Sequence, residues 1–253
     1  MEFCIELYQI RIEFNIFPMN STVTHVIFDM DGLLIDTESV YTIVTTRILK
    51  RFSKEFNWNV KVNLMGKNER EATECLIQMM DIPLTVDEYL KIESIELEKL
   101  FLACKPLPGV YKLVSHLKKH EIPIAVATSS TKRAFDLKTT NNSELFEMFD
   151  GKVICGDHPS IKRGKPSPDI FLEAAKLIGN HQPENCLVFE DSRSGVEAGL
   201  NAKMQVIWVP DSRLPLDDHM KTQCSKVLKT LEDFNPILYG LPPFDDLDHD
   251  DSY

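Results

Sequence analysis

The chain has 253 residues, of which 43% are hydrophobic and 26% charged, enough for one large domain, or a domain with a smaller insert, around a sizeable core. Its formal net charge of -11 and pI near 5.1 argue against a nucleic-acid backbone or an anionic membrane as the main partner. A phosphorylated small molecule stays open, because a metal ion and one or two local cations can reverse the field inside a single pocket.

Residues 1–21 are partly apolar but carry Glu2, Glu6 and Glu13 and no basic stretch, so they read as an N-terminal extension that need not be ordered, not as a secretory signal. VTHVIF, at 23–28, is the first apolar run of buried-strand type. Residues 37–104 then hold helical patterns, among them SVYTIVTTRILKRF and EYLKIESIELEKLF, with no strong strand run between them. They predict a helical cap inserted after the first strand, with a loop at Met65-Gly66-Lys67. After Pro108-Gly109 a helix is expected over 110–120, followed by strands at 122–127 (IPIAVA) and 152–155 (KVIC). A helix over 168–178, a strand at 186–190 (CLVFE), a short helix over 193–202 and a strand at 204–209 (MQVIWV) complete the pattern. The end, 237–253, is read as an acidic tail without order.

Strands alternating with helices imply right-handed crossovers and an α/β fold: a doubly wound parallel, Rossmann-like sheet spanning 22–36 and 105–236, with the cap at 37–104. The six cysteines, Cys4, Cys75, Cys104, Cys155, Cys186 and Cys224, form no C-x-x-C pair. Reduced thiols in a cytoplasmic protein are therefore expected, not a disulfide or zinc framework. His116 and His120 stand four apart, but without an H-E-x-x-H pattern they read as part of a solvent-facing helix.

Three apolar runs end in reactive side chains: VIF at Asp29 with Asp31 two residues on, AVA at Thr128 followed by Ser129, and LVF at Glu190-Asp191. Open α/β sheets bind ligands outside the carboxyl ends of their strands, so these residues can converge on one place. Asp29 and Asp31 repel each other unless a cation or a shared proton intervenes, and Mg2+ suits an acidic cluster completed by Asp191. Gly32 permits a sharp turn after the pair. Lys165, between Gly164 and Pro166, can neutralise a phosphate as a point charge, and the Thr128 hydroxyl can donate to phosphoryl oxygens. No G-x-x-x-x-G-K-[ST], G-x-G-x-x-G or G-x-S-x-G is present.

DMDGLLIDTE at 29–38, ATSS at 127–130, GKPSPDIF at 164–171 and FEDSRSGVEA at 189–198 together resemble the haloacid dehalogenase-like phosphohydrolases in order and spacing. VTHVIFDMDGLLIDTESVY, NLMGK, LPGV, MQVIWVPD and YGLPPF look like that family's pseudouridine-5'-phosphatase group. The resemblance implies Asp29 as the nucleophile that becomes an aspartyl-phosphate and Asp31 as the acid and base. It also implies Mg2+ on Asp29, the Asp31 carbonyl and Asp191 with help from Glu190, and a phosphoryl group held by Thr128, Ser129 and Lys165. Gly66 and Lys67 would approach the substrate from the cap.

The expected activity is dephosphorylation of a small metabolite, pseudouridine 5'-phosphate first, by a monomer with no nucleic-acid or membrane partner. A phosphatase or phosphomutase for another sugar or polyol phosphate is the alternative, and a catalytically idle binding protein on the same fold is the alternative of another class. Two motifs depart from the family: Asn201-Ala202-Lys203-Met204 stands where a small residue and glycine usually precede methionine, and Ser192-Arg193-Ser194-Gly195 replaces a proline-asparagine version.

Overall fold

The computed structural model describes residues 23–64, 69–179, 182–214 and 216–245. The extension at 1–21, the cap loop residues Gly66 and Lys67, and the tail beyond 245 lie outside the described residues.

Six parallel strands, β1 (His25–Phe28), β2 (Ile124–Thr128), β3 (Val153–Cys155), β4 (Cys186–Glu190), β5 (Gln205–Trp208) and β6 (Lys226–Val227), lie in the order β3-β2-β1-β4-β5-β6. Successive residues of a strand face opposite sides of the sheet, and the apolar runs supply a core to both. On one side Val26, Phe28, Val126, Leu187, Phe189 and Ile207 pack together, with the Phe28 and Phe189 rings stacked at 5.0 Å. On the other, Ile27, Ala125, Ala127, Val188, Val206 and Trp208 form a second cluster. The two-residue β6, whose sequence is too short and polar to stand out, was not expected and extends the edge beyond β5.

The cap consists of α1 (Glu38–Lys50), α2 (Trp58–Leu64), α3 (Glu69–Met80) and α4 (Val86–Leu100). Thr85 opens α4 with a capping box, its hydroxyl accepting from the Glu88 amide while the Glu88 carboxylate accepts from the Thr85 amide. The chain leaves and rejoins the core through two adjacent segments: the Asp36 amide donates to the Lys105 carbonyl, and the Leu107 amide to the Leu34 carbonyl. Val44, Ile48, Leu97 and Phe101 continue the first core cluster into the cap.

Helix α5 (Val110–Lys119) lies on the first side of the sheet and buries Val110, Leu113, Val114 and Leu117, as its periodicity predicts. Its polar positions do not all face solvent. His116 is buried, held by Pro242 and Phe244, so the solvent-facing reading of this histidine is corrected. The reason lies beyond the helix: residues 237–245, read as tail, fold over α5, burying Tyr239 and Leu241 and pairing the Val23 amide with the Tyr239 carbonyl. Helices α6 (Lys132–Thr139) and α7 (Ser143–Glu147) follow β2. On the opposite side lie α8 (Asp169–Leu177) and α9 (Arg193–Asn201), and α10 (Asp218–Gln223) precedes β6. No disulfide joins the described cysteines. Among the described residues, no helix is long and apolar enough to cross a membrane.

Candidate active site

The order of the strands reverses around β1, between β2 and β4, and this is where polar residues gather. Asp29 follows β1 directly and its amide donates to the Phe189 carbonyl, which ties it to β4. The Lys165 ammonium lies 2.5 Å from Asp29 Oδ1 and 2.7 Å from Glu190 Oε1, and it donates to the Ala127 carbonyl at 3.2 Å. One lysine thus joins the ends of β1, β2 and β4. Burial alone would lower its pKa, but the charges of Asp29 and Glu190 outweigh this and keep the ammonium protonated.

Glu190 is fully buried, and its second oxygen accepts from the Ser192 amide at 2.8 Å and the Ser192 hydroxyl at 3.0 Å. Ser192 also caps α9 by accepting from the Gly195 amide. A Cβ on Gly195 would stand 1.6 Å from Glu190 Oε1, so only glycine lets α9 approach this carboxylate. The departure at Ser192-Arg193-Ser194-Gly195 therefore keeps the groups that orient Glu190. Arg193 turns away to pair with Asp217 at 2.6 Å.

Asp31 is held differently. Its Oδ2 accepts from the Thr128 and Ser130 hydroxyls, each at 2.9 Å, and its Oδ1 from the Lys138 ammonium at 2.5 Å. Lys138 sits on α6, whose first turn is capped by Thr131, and also donates to Ser130 at 2.8 Å. Its side chain is only 2% exposed and lies over the Phe101 ring at 4.6 Å. Burial raises the Asp31 pKa, but the charge and hydrogen bond of Lys138, together with Ser130 and Thr128, hold it below the usual carboxylate value. Ser129 is exposed beyond the end of β2, and its neighbour Ser130 donates to Asp31.

Lys138 does not stand out in the sequence, whereas Ser130 stands out only as a member of the polar run after Thr128, with no role of its own. The only signal for Lys138 was indirect: a lysine on the helix that follows the strand end at Thr128.

One oxygen each from Asp29, Glu190 and Asp191 lies within 4.8 Å of the others, an acidic group that could hold a metal ion. Burial pushes the Asp29 pKa up to about 7, against Lys165, with Glu190 and Asp31 adding to the rise. Asp191 is raised well above its usual range by burial and then by Glu190 and Asp29. Lys165 alone therefore leaves negative charge uncompensated. A hard divalent cation with oxygen preference matches this donor set, and Mg2+ fits it. The turn after the aspartate pair lies close against Asp191: Gly32 has φ of +83°, and a Cβ there would stand 2.5 Å from Asp191 Oδ2. The Asp191 carbonyl is fixed by the Trp208 indole at 2.8 Å.

A cleft of about 1010 Å3 opens beside Asp191 and Gly32, between the cap and the core. Trp58 of the cap meets Arg213 of the core across it, with the guanidinium 4.4 Å from the ring centre.

The chain as a whole is similar to known proteins. The model of the haloacid dehalogenase-like hydrolase family matches residues 26–209. A protein of Arabidopsis thaliana named (DL)-glycerol-3-phosphatase 2 is 42% identical over 229 residues, covering 89% of this chain and 94% of its own. The "Probable pseudouridine-5'-phosphatase" of Drosophila melanogaster is 39% identical over 225 residues, covering 88% and 96%. A solved haloacid dehalogenase family hydrolase from Deinococcus radiodurans, with bound phosphate and sodium, covers 88% of this chain and 100% of its own at a TM-score of 0.72; at 23% identity that likeness is one of fold. The chain belongs to the haloacid dehalogenase-like hydrolase family and is an enzyme of its phosphatase kind.

Proposed function

We propose that this enzyme is a Mg2+-dependent phosphomonoesterase that works through an aspartyl-phosphate on Asp29. The observation that carries the reading is the opposite treatment of two aspartates two residues apart. Asp29 faces Lys165 inside a group of carboxylates, whereas Asp31 is surrounded by donors. Two carboxyl groups in different surroundings can take different parts in one reaction.

Asp29, the Asp31 carbonyl and Asp191 would hold Mg2+ with help from Glu190, and the ion would supply charge neutralisation for the phosphoryl oxygens when bound. A carboxylate oxygen of Asp29 attacks phosphorus, and the bond from phosphorus to the ester oxygen breaks. Asp31 gives its proton to the departing oxygen. Water then attacks the aspartyl-phosphate, Asp31 takes up its proton, and inorganic phosphate leaves with Asp29 restored. The Thr128 and Ser130 hydroxyls, the Ser129 amide, Lys138 and Lys165 would donate to the phosphoryl oxygens. Donors drawn away from Asp31 by a bound phosphoryl group would favour its protonated form, as the first step requires.

The substrate is a small phosphorylated metabolite, with pseudouridine 5'-phosphate as the first choice and Gly66 and Lys67 as cap contacts. Glycerol 3-phosphate is the second reading, supported by the 42% identical relative named for it. Steady-state phosphate release from both esters, with and without Mg2+, tests the assignment. A kcat/KM for pseudouridine 5'-phosphate far below that for glycerol 3-phosphate would replace the first substrate with the second. Asp29→Asn should lower kcat by at least about 10^4-fold with either ester. Unchanged turnover in that variant would remove the proposed mechanism.

A further inference from the structure

We propose that His116, His120 and Asp245 form a second metal site, for a borderline divalent ion of the Zn2+ class, that fastens the C-terminal segment to α5. The three residues come from two places far apart in the chain, and one potential ligand atom from each lies within 4.8 Å of the others. His116 and His120 sit one helical turn apart with ring centres 4.5 Å from each other.

The ring nitrogens are disposed for coordination. His116 Nε2 lies 3.0 Å from the Pro242 carbonyl, which can only accept, so this nitrogen carries the proton. Nδ1 of the neutral ring is then bare and turned toward Asp245 Oδ2, 4.0 Å away. A metal-binding histidine characteristically gives its other N–H to a backbone carbonyl, which fixes tautomer and ring direction. His120 Nε2 is buried without a well-aligned hydrogen bond, 3.3 Å from Asp245 Oδ1. Tetrahedral ligands at about 2.0–2.1 Å from Zn2+ stand about 3.3 Å apart, which matches this pair.

The Asp245 carboxylate is itself oriented, since Lys119 donates to its Oδ2 at 2.8 Å. Phe244 packs on the His116 ring and screens one side. Asp245 is 48% exposed, so water can complete the coordination. Two imidazoles with one carboxylate favour Zn2+ over Mg2+, which takes oxygen ligands. Because the last turn of α5 leads into the start of β2, it lies toward the amino ends of the strands, whereas Asp29 follows the carboxyl end of the neighbouring β1. The site is thus separate from the acidic group at Asp191.

The test uses full-length protein without a purification tag, stripped of metal and then saturated with Mg2+. Zn2+ is added by calorimetric titration, and Co2+ serves as a visible spectroscopic probe. One Zn2+ per chain is expected in the wild type and in Asp191→Asn. His120→Ala should weaken binding by more than about 100-fold, and Asp245→Ala by about tenfold or more. Both should abolish the four-coordinate Co2+ bands and the rise in Tm with Zn2+ while leaving phosphate release unchanged. Asp245→Ala, at an exposed position, decides the matter if His120→Ala fails to fold. The proposal is overturned if no stoichiometric Zn2+ is taken up, or if uptake disappears in Asp191→Asn and persists in Asp245→Ala.

Discussion

Lys138 holds Asp31 from inside the protein: its ammonium is 2.5 Å from Asp31 Oδ1, on a side chain almost wholly withdrawn from water. An ammonium placed so deeply is tolerated because a carboxylate, the Ser130 hydroxyl and the Phe101 ring replace its hydration. The same group can serve Asp31 in the resting enzyme and a phosphoryl oxygen in the working one.

Lys138→Met should therefore damage catalysis and stability together. Removing one charged donor from such a site lowers kcat/KM by about 100-fold or more. Leaving Asp31 partly buried without its partner costs about 2–3 kcal/mol of folding free energy. Steady-state kinetics and urea unfolding measure the two effects, and Asp31→Asn in the same chain should restore part of the stability. A variant with normal kinetics would reduce Lys138 to a packing element.

Asp191→Asn should separate metal binding from folding. Asp191 is crowded by Glu190 and Asp29, and its pKa is raised well above the usual range, so the metal-free variant should melt at a higher temperature than the wild type. The Mg2+ concentration for half-maximal activity should rise about tenfold or more, as expected when a metal's surroundings are disturbed. Calorimetry without metal and a Mg2+ titration of activity check both directions. A lower Tm without metal would contradict the charge argument.

Glu93, buried on α4, makes stability depend on pH. Burial, and then the neighbouring charge of Glu69, pushes its pKa up to about 7 from a usual 4.5. As pH rises between these values, the unfolded chain releases this proton while the folded one retains it, so stability falls, and the cost persists above pH 7. Glu93→Gln should thus be more stable than the wild type by about 1–3 kcal/mol at pH 8, with little difference at pH 4. Equal offsets at both pH values in denaturant titrations would show that the carboxyl is not responsible.

Lys203, at a position where the family resemblance leads one to expect glycine, has φ of +64°, in the left-handed region that favours glycine. The left-handed conformation costs a residue with a Cβ about 1–2 kcal/mol, part of which glycine returns through its freer unfolded state. Lys203→Gly should raise stability by about 0.5–1 kcal/mol without changing kcat. Thermal unfolding measures it, and a decrease would mean that the lysine stem contributes more than the turn costs.

Much of the acidic site was legible from local sequence because it is built at strand ends. A short apolar run flanked by polar residues marks both a buried strand and the place where it stops, and Asp29, Thr128 and Glu190 lie at such ends. The sheet order then brought them together. Gly32 was readable for the same reason, since a sharp turn after the aspartate pair is a local requirement of the backbone.

What the sequence alone determined was the chemical kind of site: carboxylates, a lysine and hydroxyls at the carboxyl edge of a parallel sheet, preceded by apolar strands and interrupted by a helical cap. Tertiary structure alone decided which cation meets which anion. Lys138 lies 107 residues from Asp31, in a helical segment whose local pattern does not distinguish a solvated lysine from a buried one. His116 likewise reads as solvent-facing until residues 242–245 cover it. Periodicity records the face a segment offers, whereas burial of a charge depends on which distant groups arrive to replace its water.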